Sequence, residues 1–461
     1  MLHSNLNPVP VDFDAQALRA RVAGDVVTPA DEAWDEARQA WNLAVDQRPV
    51  AVVLAETADD VVATIEEARA AGLRVAPQGT GHNAKPLGEL SGTILLRTSR
   101  MRGVEIDPAA QIARVEAGVI WIEVVEAAAE HGLAALAGSS PDVGVVGYTL
   151  GGGLSWLARK YGFAANQVTA VELVSADGRF IRADRENEPD LFWAVRGGGG
   201  SFGVVTALEF RLFPLTEVYA GVMFWPVERA TEVLNAWREW VDTVPDELTS
   251  VGRILQLPPL PEIPEPLRGG SFVVVETIYV GDEAEGEKLI APFRALEPTL
   301  DTVATVPMPA LGHLHMDPET PVPGAGEGML LSDFTAEAVD AVVESSVGSS
   351  LISVEVRHLG GAIGRPSPQH GAVSHFDADF LLFGVGITPG PEAHAAVLAD
   401  VERLIGAMAP WDSGSMYLNF SEVDLNQGSR WTEQAFHRLR RIKARYDAGD
   451  VIRSNHPVPV A

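Results

Sequence analysis

The residues in this chain whose types and spacing can do chemistry sit on glycine-dense loops. The longest loop, Gly138 to Gly153, reads Gly-Ser-Ser-Pro-Asp-Val-Gly-Val-Val-Gly-Tyr-Thr-Leu-Gly-Gly-Gly and runs into Leu154–Tyr161, which reads as a helix. Glycine leaves backbone N–H groups uncovered and lets a ligand approach the main chain. A helix start adds unpaired donors and a positive dipole end, and the combination suits a phosphate or another electron-rich group. A second loop is Gln78-Gly79-Thr80-Gly81-His82-Asn83-Ala84. Gly79, Gly81 and Ala84 have the spacing of the G-x-G-x-x-G/A nucleotide fingerprint. That fingerprint needs a helix next, and Lys85-Pro86-Leu87-Gly88 breaks one. What remains is a tight turn presenting Thr80 and His82, with His82 either structural or functional. The third loop, Arg196 to Thr206, holds four successive glycines and leads into a strand. It is either a hinge or part of a cradle. Three such loops in one region suggest one extended ligand lying along the backbone, and a dinucleotide has that shape.

Other groups invite chemistry less directly. In Leu351–Leu359, Ser353, Glu355 and Arg357 share one strand face, and Ile352, Val354 and Val356 the other. The polar row either lines a cavity or faces water as a Glu–Arg pair. Tyr417 is a candidate base or an orienting aromatic. A phenol titrates near pH ~10, so acting as a base requires a cationic neighbour or a hydrogen-bonded network. Asn419 is expected on the same strand face two residues on. His313 and His315 form a His-x-His pair without an evident third ligand, and His370, His375, Asp377 and Asp379 are equally undecided. No metal site is expected. Neither a nucleophile elbow nor a P-loop is present.

The elements that must position these groups follow from pattern. Residues 1–46 read as an arm with short helical pieces such as Glu32–Ala44. Pro49–Ala55 is a buried-strand run; Thr57 caps a helix with Val61, Val62, Ile65 and Ala68 on one face, Gly72 stops it, and Leu73–Pro77 returns as a strand. Further strands are expected at Thr93–Arg97 and Gln111–Glu116, and Asp177-Gly178 joins two more as a hairpin. Beyond Pro214, strands alternate with amphipathic helices, among them Val227–Val241, Glu283–Leu296 and Pro391–Met408. Leu257–Gly269 and Pro307–Gly328 read as long irregular loops, and Thr432–Tyr446 as a last helix. The fold class is α+β.

Composition narrows the partners. The 461 residues carry a net charge of −29, 46% hydrophobic residues and no cysteine. Such a surface repels nucleic acid and anionic membranes, so neither is expected as a partner. An anionic ligand must then be held by local backbone donors. Without cysteine there are no disulfides, thiolate metal sites or thiol nucleophiles. No apolar run spans a bilayer and Met1–Pro8 lacks a signal-peptide pattern, which makes cytoplasm the default expectation.

Taken together, the motifs resemble the FAD-binding domain of the vanillyl-alcohol oxidase/p-cresol methylhydroxylase superfamily, in its berberine bridge enzyme-like branch. The branch's Gly-Gly-His turn corresponds to Thr80-Gly81-His82. Its Cys-Pro-x-Val-Gly-x-x-Gly-x-x-Leu-Gly-Gly-Gly loop corresponds to Ser140–Gly153, and its Arg-Gly-Gly-Gly-Gly-x-Phe-Gly-Val-Val segment to Arg196–Val205. Its Tyr-x-Asn strand and basic helix ending in Tyr-Asp correspond to Tyr417-Leu418-Asn419 and Lys443–Asp447. The resemblance implies an arm over 1–46, an FAD-binding domain over 47–217, a substrate domain with a helix-covered antiparallel sheet over 218–410, and a segment over 411–461 that returns to the FAD domain. It implies FAD held by Gly79, Thr80, Gly81, Asn83, Ser139, Ser140, Val143, Gly144, Gly147, Tyr148, Gly151, Gly152, Gly153, Gly203, Val204, Val205 and Asn419, and tethered through His82. Relatives often add a second bond from a cysteine where this chain has Ser140, so a single covalent link is expected. Val143 falls where the family places its oxygen gatekeeper, which implies an oxidase making hydrogen peroxide. Hydride from a small alcohol, phenolic or polyketide-type substrate would pass to flavin N5, with Tyr417 or Glu355 as base and O2 as the second substrate, in natural-product oxidation. A dehydrogenase or an oligosaccharide oxidase of the same family is the alternative.

Overall fold

The computed structural model describes residues 13–259, 261, 263, 265–422 and 429–461. The signal-peptide reading at Met1–Pro8 and parts of the 257–269 loop and of the 411–461 segment lie outside the described residues.

Two main sheets share the first half of the chain, beside a two-stranded pairing of Leu133–Ala134 with Phe213–Pro214. One has the strand order Asp25–Val27, Ala51–Leu54, Thr93–Arg97, Arg74–Gln78, and its last three strands are parallel. Helix Ala58–Ala70 makes the crossover; Thr57 caps it by accepting from the Asp60 N–H, and Val61, Ile65 and Ala68 bury its inner face. The second sheet is antiparallel, in the order Val104–Asp107, Ile112–Glu116, Val204–Arg211, Val168–Val174, Phe180–Asp184. Val174 and Val204 pack into the same core as Val53 and Ile65, which joins the two sheets.

The second half is built on one large antiparallel sheet. Its long strands run in the order Glu217–Pro226, Ser271–Tyr279, Leu248–Gln256, Ser353–His358, Phe380–Ile387, Gly324–Leu331. Helices Ala230–Val241, Glu283–Arg294, Ala336–Ser346 and Pro391–Met408 cover one face, burying Trp225, Trp237, Val275, Val354 and Val356. Each such side chain contributes roughly 1.5–3 kcal/mol by leaving water. Gly252 lets the first of these helices approach, because a Cβ there would stand 2.9 Å from Leu234. The alternation of strand side chains turns Arg253, Glu276, Glu355 and Arg357 to the opposite face, with Arg253 directly across from Glu355.

Helix Glu433–Tyr446, capped by Thr432, returns to the first half and buries Leu439, Ile442 and Tyr446 beside Phe192 and Phe202. No helix among the described residues is long and apolar enough to cross a membrane.

Four local expectations are corrected. The segment expected to be helical at Leu154–Tyr161 is helical only over Ala158–Tyr161, and a helix stands at Val145–Leu150 instead. Gly152 and Gly153, with φ of +120° and +78°, break the chain between them. Tyr417-Leu418-Asn419 is not a strand: Leu418–Phe420 is a 3-10 turn closed by the Phe420 N–H donating to Tyr417 O. Gly324–Leu331 is the edge strand of the large sheet beside Phe380–Ile387, although its glycines read as loop; they leave room for Phe383 and Phe420. The helical piece expected at Glu32–Ala44 is confined to Trp34–Ala37, because the backbone carbonyls of Ala37 and Gln39 turn to Arg97.

Candidate active site

His82 stands on the turn between the parallel sheet and the long glycine loop. Its Nδ1 is 2.8 Å from Thr80 Oγ1 and its Nε2 is 3.2 Å from Asp142 Oδ1. The indole of Trp41 stacks on the imidazole, with centroids 4.0 Å apart and planes 17° off parallel. Gly81, at φ +91°, makes the turn possible, and a Cβ there would meet Ala40 at 2.9 Å.

The long loop wraps against the segment after Met416. Asn419 Nδ2 donates to Tyr148 O and to the Tyr417 hydroxyl oxygen, at 2.9 Å each. The Leu154 N–H donates to the same phenol oxygen at 2.9 Å. A Cβ on Gly151 would fall 1.8 Å from Asn419 Oδ1, and one on Gly153 2.6 Å from Tyr148. The third glycine loop is a packed turn. The Gly199 N–H donates to Leu150 O at 3.0 Å, and Trp431 Nε1 to Gly197 O at 2.9 Å. Lys443 Nζ donates to Ser201 O at 3.0 Å and to Asp447 at 2.5 Å. Ser201 Oγ meets Ser454 Oγ at 2.8 Å and accepts from the Val458 N–H at 3.0 Å. Gly203 packs on Leu173 and the Val174 carbonyl, and Val204 and Val205 are buried beside it.

These loops suit a flavin dinucleotide. A Cβ on Gly147 would meet nothing within 4 Å, and those on Gly79 and Gly144 would make only ordinary contacts, so open space borders the backbone. Both amide atoms of Gln78 and Oδ1 of Asn83 are buried without a hydrogen-bond partner in the protein, which leaves donors and acceptors for a ligand.

The sheet face opposite the helices supplies a buried ionic array. Arg357 Nε donates to Glu355 Oε1 at 2.8 Å, and Arg357 Nη2 to Ser139 Oγ at 3.1 Å. His315 lies between two carboxylates, with Nδ1 2.7 Å from Glu276 Oε2 and Nε2 2.7 Å from Glu355 Oε2. The second approach is an ion-pair contact without hydrogen-bond alignment, since Glu355 Oε2 has no aligned donor. Arg253 donates to Glu276, to the His315 carbonyl and to Ser353. Asp317, two residues past His315, accepts from the Ser140 hydroxyl. The guanidinium of Arg357 lies 5.0 Å over the Phe420 ring and 5.5 Å over Trp156. A small pocket bounded by Leu154, Trp156, Arg357 and His358 adjoins the array. Another, walled by Trp121, Pro141, Trp156 and Leu311, lies behind the long glycine loop.

Charge states follow from these neighbours. Burial alone would raise the Glu355 carboxyl, but Arg357 and His315 outweigh it and hold it far below the ordinary range. Burial and Arg253 oppose the charged form of His315, yet Glu276, Asp317 and Glu355 prevail and lift it to about 9. Burial raises the Tyr417 phenol well above its ordinary value, and the N–H donors of Leu154 and Asn419 do not offset this. Glu355 and His315 are therefore ionised at neutral pH and Tyr417 is not.

The structure thus brings together His82 with Thr80, Ser139 with Arg357 and Glu355, and Tyr417 with Asn419 and Tyr148. It separates the histidine pair: His313 is exposed and 2.6 Å from Glu319, while His315 is buried. His370 and His375 turn to the Ser374 carbonyl and Asp377, away from the array. Trp41, Asp142, Arg253, Glu276 and Asp317 escaped the sequence reading. A lone charge inside an apolar run, as in Val273-Val274-Val275-Glu276, was the available signal.

The matches to known families fall on the His82 turn, the long glycine loop and the C-terminal segment. A family model for an FAD binding domain matches residues 49–184, and one for berberine and berberine-like proteins matches residues 416–459. The FAD-linked oxidoreductase YvdP of Bacillus subtilis (strain 168) is 30% identical over 95% of this chain and 98% of its own length. The chain belongs to the berberine bridge enzyme-like FAD-linked oxidoreductases. It is an FAD-dependent oxidoreductase with the two-domain α+β fold of that family. The (R)-6-hydroxynicotine oxidase of Paenarthrobacter nicotinovorans is 28% identical over 95% of this chain and 97% of its own. Among solved structures, the BBE-like 1 protein of Physcomitrella patens superposes with a TM-score of 0.86 at 21% identity, covering 97% of this chain and 99% of its own.

Proposed function

We propose that this oxidoreductase is an oxidase that takes hydride from a C–H bond beside a hydroxyl of an aromatic or polyketide-type small molecule and returns the electrons to O2. The observation that carries the reading is the 3.1 Å contact between Arg357 Nη2 and Ser139 Oγ, which sets the ionic array directly against the flavin loop. FAD, when bound, supplies the two-electron acceptor; His82 holds it by one covalent link and the three glycine loops contact it.

The chain's own residues handle the substrate proton. Tyr417 is neutral and its oxygen already accepts two N–H groups, so its own proton is left to orient a substrate oxygen. Arg357, held between aromatic rings, stabilises that oxygen as it loses its proton. Glu355 keeps one oxygen without an aligned donor; as Arg357 turns from it toward the developing substrate oxyanion, Glu355 loses the partner that holds its carboxyl low and accepts the proton. The aromatic walls around Arg357 favour a flat substrate over a sugar. Ser140 is engaged by Asp317, in keeping with a single flavin link. Val143 is small enough to let O2 reach the flavin edge.

The test is anaerobic reduction of the holoenzyme by panels of phenolic alcohols, polyketides and oligosaccharides, followed by rapid mixing with air. Bleaching by an aromatic panel member with fast reoxidation and peroxide release is expected. Bleaching by sugars alone overturns the substrate reading, and slow reoxidation in air overturns the oxidase reading.

A further inference from the structure

The carboxylate of Asp142 is used unusually. An aspartate in a turn leading into a helix ordinarily accepts from backbone N–H groups of that turn. Here the helix begins at Val145, whose N–H donates instead to Val119 O at 3.0 Å. Both oxygens of Asp142 turn away from its own loop. Oδ1 lies 3.2 Å from His82 Nε2, and Oδ2 accepts from Trp41 Nε1 at 2.5 Å. Trp41 is itself fixed to the His82 turn, its N–H donating to Thr80 O at 3.0 Å. One tryptophan therefore clamps both members of the pair: it stacks on the imidazole and anchors the carboxylate.

This arrangement selects a tautomer. A carboxylate only accepts, so in the neutral imidazole Nε2 carries the proton and Nδ1 keeps its lone pair, which the freely rotating Thr80 hydroxyl satisfies at 2.8 Å. The same logic, a buried carboxylate fixing the proton and plane of a histidine so that its other nitrogen reacts, operates in serine hydrolases. The His82 and Asp142 side chains are 20% and 17% exposed, open enough for a ligand to arrive yet shielded on one side by the indole.

We propose that Asp142, held by Trp41, is a positioning residue that readies His82 Nδ1 to form the covalent bond to the flavin methyl carbon. The inference rests on the reading of His82 as the tether. A bond forms between Nδ1 and the methyl carbon, and that carbon's C–H bond breaks with release of its proton. A second proton leaves Nε2 through Asp142 to solvent. The electron pair left by the C–H bond reduces the flavin ring, and O2 takes it up to give hydrogen peroxide.

The test compares the wild type with Asp142→Ala, Asp142→Glu, Trp41→Phe and His82→Ala, each produced with FAD. Visible absorbance of the native protein reports total flavin. Fluorescence of the acid-precipitated, washed pellet reports covalent flavin, followed over time after FAD addition. We expect Asp142→Ala to bind FAD but to form the covalent link at least ~10-fold more slowly, since loss of the orienting carboxylate in serine hydrolases costs up to about 10⁴-fold. Asp142→Glu should recover part of the rate, and Trp41→Phe should lie between. Wild-type rates in Asp142→Ala, with His82→Ala devoid of covalent flavin, overturn this inference and leave the tether intact. A wild type that releases all its flavin into acid overturns the tether itself. If Asp142→Ala binds no flavin, Asp142→Glu decides: a slowed rate supports the role and an unchanged rate refutes it.

Discussion

The Leu154 N–H and the Tyr417 hydroxyl oxygen, 263 residues apart in the chain, meet at 2.9 Å in a buried hydrogen bond. It fastens the end of the long glycine loop to the segment carrying the phenol. Replacing Tyr417 with Phe removes the acceptor for Leu154 and Asn419 and the proton that orients substrate. Flavin content should stay near wild type, while the rate of flavin reduction by substrate should fall about 10²-fold or more. Stopped-flow absorbance under anaerobic conditions checks this. An unchanged reduction rate would remove Tyr417 from the proton path.

The contacts of His315 give a pH signature. Its folded value of about 9 exceeds the ordinary 6.5, so its contribution to stability is complete below pH 6.5 and is lost as the pH rises through about 9. Glu355 shifts the other way from its ordinary 4.5; its contribution is present above that value and is lost at lower pH. His315→Gln leaves Glu276 and Glu355 facing each other without a cation between them. The variant should be less stable than the wild type by about 3–5 kcal/mol at pH 6. The gap should close toward pH 10, where the wild-type imidazole is neutral too. Thermal midpoints across pH measure this, and a gap independent of pH would show that His315 acts by packing alone.

Lys443 is 1% exposed and has four acceptors within reach, on Ser201, Asp447, Asp450 and Ile452, so its removal strands Asp447. Lys443→Met should cost roughly 3–5 kcal/mol, and pairing it with Asp447→Asn should recover much of that. Because Lys443 also holds the Ser201 carbonyl, the single variant should lose flavin at lower denaturant concentration than the wild type. Loss of visible absorbance against unfolding, followed in one urea titration, reports both effects.

Val143 lies partly buried beside the Trp121 core. Val143→Leu should leave substrate reduction of the flavin within about 3-fold of wild type. Reoxidation by air should slow by on the order of 10-fold or more, as the larger side chain fills the approach by simple steric exclusion. Equal reoxidation rates in the two proteins would move the oxygen path elsewhere.

The glycine loops were legible in the sequence because strained backbone leaves few residue choices. Gly81, Gly152, Gly153, Gly197 and Gly199 all take positive φ in the structure. In the large sheet Ser353–His358 was legible through alternation, whereas Leu248–Gln256 and the glycine-rich Gly324–Leu331 were not; Pro391–Met408 was readable to the residue. The short helix at Val145–Leu150 was hidden by its own glycine and β-branched residues; tertiary packing overrides weak propensity there. The ionic array was only half readable. Ser353, Glu355 and Arg357 declare a shared face by their spacing, but Glu276, Arg253 and His315 arrive from other strands and a loop, and no local pattern encodes that convergence. Trp41 and Asp142 stand 101 residues apart and have meaning only once folded.

The clamp that Trp431, Lys443 and Ser454 place on the third glycine loop bears on the timing of biogenesis. During synthesis the ribosome exposes the loops at His82, Gly144 and Gly199 long before residues 431–458 emerge. A nascent polypeptide at that stage has the ligand-facing turns without the brace that closes them. Closure of the third glycine loop is therefore a late event in maturation, coupled to docking of the last helix rather than to folding of the first sheet.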